Sequence, residues 1–517
     1  MTFDILKNEY WWGGCVCTAE KMPFDCDTVF KFDLQRDKRT QTAPLFLSSR
    51  GRYLWSEEPF VIEFDRGKIT VTSDSDVELT DAGNTLRDAY LCAMKKHFPF
   101  EKDIFVPREY VKHPQFNTWM ELIKNQNQKD ILRYAHEIIE NGYTPGILTI
   151  DGGWQICQGT WEFRKELIPD PKAMVDELHA LGFKVMIWVS PFVCSEGENF
   201  LKLYSKRSSE VRSGELSCEH LVRQADGEVS IQKWWSGFGA ILNFNLPGDC
   251  EFLDAQLQKL MNNFGFDGFK FDGGMYMPQH FISGCDFYGG YTLEQLNDAW
   301  IRFGSKYTYH EYKDTWKQGG RAVIQRLCDK EHQWEGNGLD CLIPHGCFVG
   351  LIGCPFICPD MVGGGEWTAF VYGEPDEELF VRMAEASALF PMMQFSALPW
   401  RKLSRRASDV CREMAKLHES VYPELEKALS YSESTGEPIV RLMEYMYPGC
   451  GYEKVNAQFM IGDSIISAPV LKKGETVKTV YIPEGSWMEM NSGEVCCGPC
   501  VRDFDAPTER LVWFKKC

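Results

Sequence analysis

The 517-residue sequence has no apolar run of about 18 residues, and its first residues do not form a basic segment followed by a short apolar one. The first absence argues against a transmembrane helix, and the second predicts a chain without a secretory signal peptide. The 20 cysteines are therefore interpreted as reduced thiols of a cytoplasmic protein. One pair, Cys497-Gly-Pro-Cys500, resembles a redox motif, but no βαβ unit surrounds it, which favours a structural or incidental role.

Motifs for nucleotides and metals are missing as well. No GxGxxG, P-loop or nucleophile elbow follows a predicted strand, and the predicted strand ends carry no His, Cys or carboxylate cluster with metal-ligand spacing. We therefore expect neither a cofactor nor a metal. The net charge of −19 argues against nucleic acid and anionic membranes as partners. The oligomeric state stays open.

Aromatic residues, in contrast, are abundant, at 14% of the chain with 16 tryptophans. Most of them are expected to fill the cores of a large protein. Several tryptophans, however, lie beside Gly and Asp, and aromatic faces combined with carboxylates are what sugar rings bind against. The sequence therefore indicates a carbohydrate ligand.

The pattern of apolar residues divides the chain into three parts. Residues 1–112 contain short alternating runs, which predict an N-terminal β-sandwich domain closed by a helix. Residues 113–405 alternate between strand-like and helix-like segments, with strands beginning near 117, 147, 184, 240, 266, 321, 352 and 392. Eight such units predict a (β/α)₈ TIM barrel, because the rival doubly wound sheet would carry a GxGxxG loop. Residues 406–517 predict a C-terminal β-sandwich domain.

Polar and aromatic residues follow the predicted barrel strands, where the active sites of TIM barrels lie. In GFDGFKFDGG (265–274) an apolar strand contains Lys270 and ends at Asp272, two charges on one face. Four of the eight strand ends carry an aspartate, which helix capping alone does not explain. Two or more carboxylates in an aromatic-lined, metal-free pocket are what glycoside hydrolysis requires. The candidates are Asp151, Trp154, Trp188, Trp235, Lys270, Asp272, Arg326, Asp329, Glu331, Trp334 and Asp360.

The motifs ILTIDGGW, KVMIWVSPFV, GFDGFKFDGG and QFMIGDSIISAPVL resemble those of glycoside hydrolase family 31. The likeness runs from end to end and is greatest to the branch that contains the myogenesis-regulating glycosidase. It implies the barrel and both flanking sandwiches. It also implies that Asp272 is the nucleophile and that Lys270 supports it.

The same resemblance implies the remaining roles. Asp329, five residues before Trp334, matches the acid/base, and Glu331 is the alternative. Asp151 and Asp360 match residues that bind sugar hydroxyls, Trp188 matches a wall of the subsite, and Arg326 matches a sugar contact. Trp154, Trp235 and Trp334 complete the expected substrate-binding set because they lie near the predicted strand ends, not because the resemblance implies it.

The resemblance implies retaining hydrolysis of a terminal α-linked sugar through a covalent glycosyl-enzyme. An α-galactoside is favoured, and α-glucosides or other α-glycosides are the alternatives. A transglycosylase and a non-catalytic sugar-binding protein are rival readings. The chain departs from the family pattern at Asn243, where the family has a carboxylate, and at Gln394–Ser396, where a histidine is common. Both positions concern sugar recognition.

Overall fold

The computed structural model describes residues 1–101, 104–204, 220–274, 287 and 289–517. The chain forms two compact units. The first contains residues 1–115, 141–144 and 317–517, and the second contains residues 116–140 and 145–316. No helix among the described residues is both long enough and apolar enough to cross a membrane.

Parallel strands form the centre of the second unit. Their order is Tyr309–Tyr312, Gly268–Phe271, Lys184–Val189, Ile147–Ile150 and Gln115–Asn117. Helices alternate with them along the chain, at Trp119–Leu122, Gln128–Glu140, Pro171–Ala180, Pro247–Lys259 and Leu293–Gly304, and a π-helical turn at Leu260–Phe264 extends the fourth. The strands Ile147–Ile150 and Gly268–Phe271 are buried throughout, as expected for a parallel sheet covered on both faces.

The helix Leu293–Gly304 supports the strand that precedes Asp272. Thr292 caps this helix through a capping box with Gln295. The Phe271 ring lies 5.2 Å from the Trp300 ring on the helix and 5.0 Å from the Tyr312 ring on the neighbouring strand. This aromatic packing fixes the end of the strand on which Lys270 and Asp272 lie.

One predicted barrel strand is wrong. The segment near 240 forms the strand Gly237–Ile241, which pairs antiparallel with Phe192–Cys194 and Ile231–Trp234 in a separate three-stranded sheet. The prediction also omitted Tyr309–Tyr312, which pairs parallel with Gly268–Phe271. Asp272 thus follows the fourth parallel strand in chain order, not the fifth. The sequence YHEY hid its strand because two of its four residues are polar, although both are buried.

The first unit begins with two antiparallel sheets. One has the order Thr2–Asp4, Lys68–Thr72, Val61–Asp65 and Val29–Asp33, and the other has the order Trp11–Cys15, Thr42–Ser48, Arg52–Ser56 and Val77–Asp81. Phe46 of the second sheet packs 6.2 Å from Phe64 of the first, ring centre to ring centre, so the sheets form a sandwich. The predicted closing helix is Leu86–His97, capped by Thr85.

The first unit also contains short parallel strands and a C-terminal sheet. Gln325–Arg326 pairs with Ile357–Cys358, and Met361–Val362 pairs with Gln394–Phe395. The C-terminal sheet has the order Val440–Arg441, Phe459–Ile461, Ile465–Ala468, Val512–Lys516, Val477–Glu489 and Val495–Asp505. Helices lie at Glu109–Lys112, Leu342–Leu351, Thr368–Tyr372, Glu377–Ser387, Pro399–Lys402, Arg405–Ser420, Tyr422–Thr435 and Met443–Met446, with 3₁₀ turns at Val16–Lys21 and Leu339–Cys341.

Candidate active site

Asp272 follows the strand Gly268–Phe271, and each of its carboxylate oxygens accepts a hydrogen bond. The indole Nε1 of Trp188 donates to Oδ2 at 3.0 Å, and the backbone N–H of Gly273 donates to Oδ1 at 2.8 Å. The side chain is half-buried. Two N–H donors stabilise a carboxylate in its ionised form and fix its orientation. Asp272 is therefore held as an oriented anion that solvent can still reach.

Gly273 is required beside this carboxylate for two reasons. Its φ of 76° lies in the left-handed region, which side chains disfavour. A Cβ at this position would also lie 3.0 Å from the Phe192 ring and 3.4 Å from the Trp235 indole. The absence of a side chain lets both aromatic rings pack against Gly273, next to Asp272 in the chain.

Trp188 and Trp154 are both buried, whereas a tryptophan that stacks on a sugar needs an exposed ring face. Trp188 is 3% exposed, and its backbone carbonyl accepts a 2.8 Å hydrogen bond from Nε1 of Trp154. Trp154 itself has no exposed surface. The structure thus gives Trp154 contacts that support the strand end of Trp188, and its ring does not line a solvent-accessible wall.

Lys270 and Asp151 form a buried ion pair. Lys270 Nζ lies 2.6 Å from Oδ2 of Asp151, and the two side chains are 4% and 5% exposed. The backbone N–H of Gly152 donates to Oδ1 of Asp151 at 2.7 Å, and Thr118 Oγ1 accepts from the backbone N–H of Asp151 at 3.0 Å. Each charge is therefore compensated, as burial of both requires.

Trp235 is the one tryptophan of the predicted set with a largely free face. It is 60% exposed and lies next to Trp234, with ring centres 4.9 Å apart. Trp234 in turn stacks on Phe192 at 4.0 Å. Together with its closeness to Gly273, this exposure gives the region of Asp272 an aromatic surface suited to a sugar ring.

In the first unit, Arg326 bridges two carboxylates. Its Nη1 lies 2.8 Å from Oδ1 of Asp329 and 2.6 Å from Oδ1 of Asp360. The other oxygen of Asp360 accepts hydrogen bonds from the backbone N–H groups of Lys330 and Gly365, at 2.6 and 3.0 Å. Burial raises the pKa of Asp360, and the charge of Arg326 opposes this shift. Asp360 and Arg326 form the buried base of the cluster.

Asp329 and Glu331 differ in how they are held. The Asp329 side chain is 34% exposed and bonded to Arg326, and Asn337 Nδ2 donates to its backbone carbonyl at 2.8 Å. A Cβ on Gly365 would lie 2.6 Å from Oδ1 of Asp329, so the glycine makes room for the carboxylate. Glu331 is exposed, with its backbone N–H bonded to the carbonyl of Asn337. Asp329 is therefore the less exposed of the two acids, and an ion pair with Arg326 holds its side chain.

Trp334 is half-buried and directs its indole N–H to Oδ2 of Asp376 at 3.1 Å. That carboxylate also pairs with Lys473 at 2.7 Å. The N–H of Trp334 thus contacts Asp376, the N-cap of the helix Glu377–Ser387. The segment from Asp329 to Trp334 forms a loop without regular secondary structure.

Two neighbours of Asp329 were not among the predicted residues. Lys330 is buried, and its Nζ lies 2.9 Å from both the carbonyl oxygen and Sγ of Cys328. Although burial opposes the shift, the charge of Lys330 and a contact with His345 lower the pKa of Cys328 to about 7. The sequence signal that could have identified them is their position on either side of Asp329, the predicted acid.

Asn243 stands where the family pattern has a carboxylate. It is buried beside another carboxylate, that of Asp249. Its backbone N–H donates to Oδ2 of Asp249 at 2.6 Å, and Oδ1 of Asp249 lies 2.7 Å from Nδ1 of His220. Burial raises the pKa of Asp249, opposed by its bonds to His220 and Asn243. At this departure from the family pattern, Asp249 is thus bonded to both His220 and Asn243.

Parallel strands alternating with helices, with aspartates placed after the strands, are typical of (β/α) barrel enzymes. The comparisons are more specific. The model of the glycosyl hydrolases family 31 TIM-barrel domain matches residues 113–426, and that of the family 31 C-terminal domain matches residues 436–516. The chain belongs to glycosyl hydrolase family 31.

Curated relatives share part of their length with this chain. The myogenesis-regulating glycosidase of Mus musculus is 30% identical over 408 residues, which cover 75% of this chain and 54% of the relative. The 1,3-alpha-isomaltosidase of Kribbella flavida is 26% identical over 398 residues, covering 71% of this chain and 50% of the relative. The chain therefore spans about half the length of these relatives.

Solved structures share the fold. A Flavobacterium johnsoniae family 31 dextranase complexed with glucose superposes with a TM-score of 0.81 at 19% identity, covering 100% of this chain and 66% of the other. With the family models, this confirms the predicted resemblance and fold class, a TIM barrel with N-terminal and C-terminal β-domains. The boundaries 1–112, 113–405 and 406–517 stay predictions, as do the roles of the individual site residues.

Proposed function

We propose that this protein is a retaining α-glycosidase that removes terminal α-linked sugars, with Asp272 as nucleophile and Asp329 as acid/base. Asp272 attacks the anomeric carbon while Asp329 protonates the leaving oxygen, which yields a covalent glycosyl-enzyme. Asp329 then takes a proton from the water that hydrolyses this intermediate. Membership of family 31 supports the reaction class.

The two hydrogen bonds to Asp272 carry this proposal. A nucleophilic carboxylate must be ionised and must present an oxygen in a fixed direction. The donors on Trp188 and Gly273 meet both needs: Trp188 lies in the strand Lys184–Val189, and Gly273 follows the strand Gly268–Phe271 by two residues. The adjacent Lys270 is neutralised by Asp151, and the pair adds no net charge beside the attacking oxygen.

The acid/base assignment rests on the contrast between the two candidate acids. Asp329 is fixed by Arg326 yet one-third exposed, so it can exchange protons with water and substrate. The carboxylate of Asp360, on the same guanidinium, disfavours a second negative charge nearby. Glu331 lies at the exposed surface and is the second candidate for the role.

The roles of the other site residues are proposed from their exposure and their contacts. Asp151, Lys270, Arg326 and Asp360 supply polar groups for sugar hydroxyls, and Trp235 supplies exposed aromatic surface. Trp188, which is 3% exposed, contributes through its N–H bond to Asp272. Trp154 acts as a positioning residue, because it has no exposed surface and its indole N–H donates to the backbone carbonyl of Trp188. Trp334 acts through Asp376 on the loop that follows Asp329.

The sugar is proposed to be an α-galactoside, on the likeness to the myogenesis-regulating glycosidase and on the replacement of the family carboxylate at Asn243. An α-glucoside is the second candidate, favoured by the similarity to 1,3-alpha-isomaltosidase and to a dextranase complexed with glucose. A transglycosylase would form the same intermediate and pass the sugar to an acceptor other than water. A non-catalytic sugar-binding protein would form none.

Other parts of the proposal concern location and partners. The described cysteines are all free thiols, which supports a reducing, cytoplasmic location. The proposed partner is a glycoside or oligosaccharide, and the acidic balance argues against nucleic acid and anionic membranes.

Two experiments test this function. A panel of nitrophenyl α-glycosides of galactose, glucose, N-acetylgalactosamine, xylose and sulfoquinovose identifies the sugar, and product analysis with added acceptor sugars separates hydrolysis from transfer. A 5-fluoroglycosyl fluoride of the preferred sugar should then add one sugar mass to the protein. Peptide mapping should place it on Asp272, and Asp272→Asn should stay unlabelled. Turnover without labelling at Asp272 would overturn the assignment.

A further inference from the structure

Three potential metal ligands lie together in the first unit, apart from the proposed catalytic residues. Glu20, Cys341 and His345 each offer one ligand atom, and these atoms lie within 4.8 Å of one another. Glu20 comes from the 3₁₀ turn Val16–Lys21, and the other two come from the continuous helical segment 339–351. Cys341 and His345 are four residues apart, a spacing that places both side chains on one helical face.

The distances and burial suit a small divalent cation. Nε2 of His345 lies 3.3 Å from Oε2 of Glu20, a separation that two ligands on one zinc ion adopt when each bond is about 2.0–2.2 Å. Cys341 and His345 are 1% and 2% exposed, so the ligands are shielded from water. The Glu20 side chain is 28% exposed and leaves a route by which an ion could enter.

The other nitrogen of His345 also has a hydrogen-bond partner. Nδ1 lies 3.5 Å from Sγ of Cys328, and that sulfur lies 2.9 Å from Nζ of Lys330. A proton on Nδ1, donated to the sulfur, would leave the lone pair of Nε2 directed at Glu20. Metal-ligating histidines are oriented by such a second hydrogen bond.

We propose that Glu20, Cys341 and His345 bind one zinc ion. The carboxylate and the thiolate together balance the double charge of the ion, and binding releases the thiol proton. A thiolate, an imidazole and a carboxylate favour Zn²⁺ over the hard cations Ca²⁺ and Mg²⁺, which prefer all-oxygen sites. A water molecule that enters past the partly exposed Glu20 would complete the tetrahedron.

The site would tie the turn Val16–Lys21 to the helix Leu342–Leu351, two elements more than 300 residues apart that contact each other in this unit. The proposed role of the ion is to link these two elements, and none of its three ligands is a proposed catalytic residue. A metal-free reading exists, in which Glu20 and His345 are an ion pair and the thiol of Cys341 donates to the carbonyl of Gly336 at 2.8 Å. The zinc site predicts tight uptake of one ion, whereas the metal-free arrangement predicts none.

The test uses the full chain, stripped of metal with a chelator under reducing conditions and then titrated with Zn²⁺ or Co²⁺. Wild-type protein should take up one equivalent that survives desalting, and its melting temperature should rise. The Co²⁺ form should show a thiolate-to-metal charge-transfer band. Cys341→Ser and Glu20→Gln should lose the tight equivalent and the rise in melting temperature, and Cys341→Ser should also lose the band.

Cys347→Ala is the matched control, because Cys347 is equally buried on the same helix and is not a proposed ligand. It should keep both the metal and the band. Glu20→Gln covers the case in which Cys341→Ser does not fold, since Glu20 lies on a partly exposed turn. Equal uptake by wild type and Glu20→Gln would mean an adventitious ion only and overturn the proposal. The same conclusion would follow if the Co²⁺ band were lost in Cys347→Ala and kept in Cys341→Ser. Absence of tight uptake by wild type would overturn it as well.

Discussion

The indole N–H of Trp188 donates a 3.0 Å hydrogen bond to Asp272, although the two residues are 84 positions apart in the chain. Trp188 pairs with Lys270 across the parallel strands Lys184–Val189 and Gly268–Phe271, so strand register sets this contact. A slip of one residue would turn the side chains of one strand to the opposite face. The orientation of the proposed nucleophile is thus a property of the sheet.

Asp272→Asn should abolish turnover while the fold is retained. The amide is isosteric but cannot form the glycosyl ester, and loss of a nucleophile can cost on the order of 10⁴-fold or more in kcat. Steady-state kinetics on an activated aryl α-glycoside measures the loss, and circular dichroism checks the fold.

Asp267→Asn is the control for this variant, since Asp267 precedes the same strand and pairs instead with Lys184 at 3.0 Å and His179 at 2.8 Å. It should lower the melting temperature and leave kcat nearly unchanged. Near-native turnover by Asp272→Asn would sink the assignment of the nucleophile.

Trp188→Phe should reduce kcat/KM by about 10–100-fold, because it keeps an aromatic ring but removes the donor to Asp272. A hydrogen bond to a charged group contributes roughly 1.5–3 kcal/mol, which corresponds to that range. The matched control is Trp487→Phe, which removes a fully buried indole from the C-terminal sheet. If both variants lost activity equally, the effect would be one of stability rather than of the hydrogen bond.

Much of this region could be predicted from the sequence because the relevant strands are mostly apolar, with one polar residue each, and each is followed by an aspartate. That pattern identified Asp151 and Asp272 and their strands. It failed for Tyr309–Tyr312, whose His310 and Glu311 are buried polar residues that a hydropathy pattern reads as surface. The strand Gly237–Ile241 was assigned to the barrel because apolar composition does not distinguish parallel from antiparallel pairing.

Side-chain contacts between distant segments were beyond the reach of the sequence. Trp154 was predicted to bind substrate from its position after a strand, and its burial under Trp188 depends on packing. The contact between Glu20 and His345 joins residues 325 positions apart, and no local spacing links them. Only Cys341 and His345 had a recognisable helical spacing.

Lys270→Met should destabilise the protein by about 3–5 kcal/mol, because it leaves the carboxylate of Asp151 buried without its partner. The double variant Asp151→Asn/Lys270→Met should be more stable than Lys270→Met alone, since no unpaired charge is left. Differential scanning calorimetry compares the melting temperatures.

The control for this pair is Lys172→Met, which breaks an exposed ion pair with Asp176 and should cost less than about 1 kcal/mol. A double variant as unstable as the sum of its single variants would show that the two buried charges do not compensate each other.

His418 should make the protein sensitive to acid. Burial lowers the pKa of His418 from 6.5 to about 4, and its Nδ1 lies 3.0 Å from the carbonyl of Ala388. The unfolded chain therefore binds the proton more readily, so the stabilising contribution is complete above pH 6.5 and is lost as the pH falls towards 4. At pH 5 the loss is about 2 kcal/mol.

His418→Gln should remove this part of the pH dependence, measured as the difference in melting temperature between pH 7.5 and pH 5. His136→Gln, which alters an exposed histidine, is the comparison and should keep the wild-type slope. An unchanged slope in His418→Gln would contradict the buried neutral state of this histidine.

Asp329→Ala should lose activity according to how much the leaving group needs a proton. General acid help is typically worth about 10²–10⁴-fold, so an unactivated disaccharide should suffer that loss in the glycosylation step, whereas a nitrophenyl glycoside should suffer far less. Azide should accelerate the second step of the variant, because a small anion attacks the intermediate without a general base. Glu331→Ala, which removes the exposed carboxylate two residues on, is the matched comparison and should show neither effect. If Glu331→Ala gives the leaving-group dependence and the azide rescue while Asp329→Ala does not, the two carboxylates exchange roles.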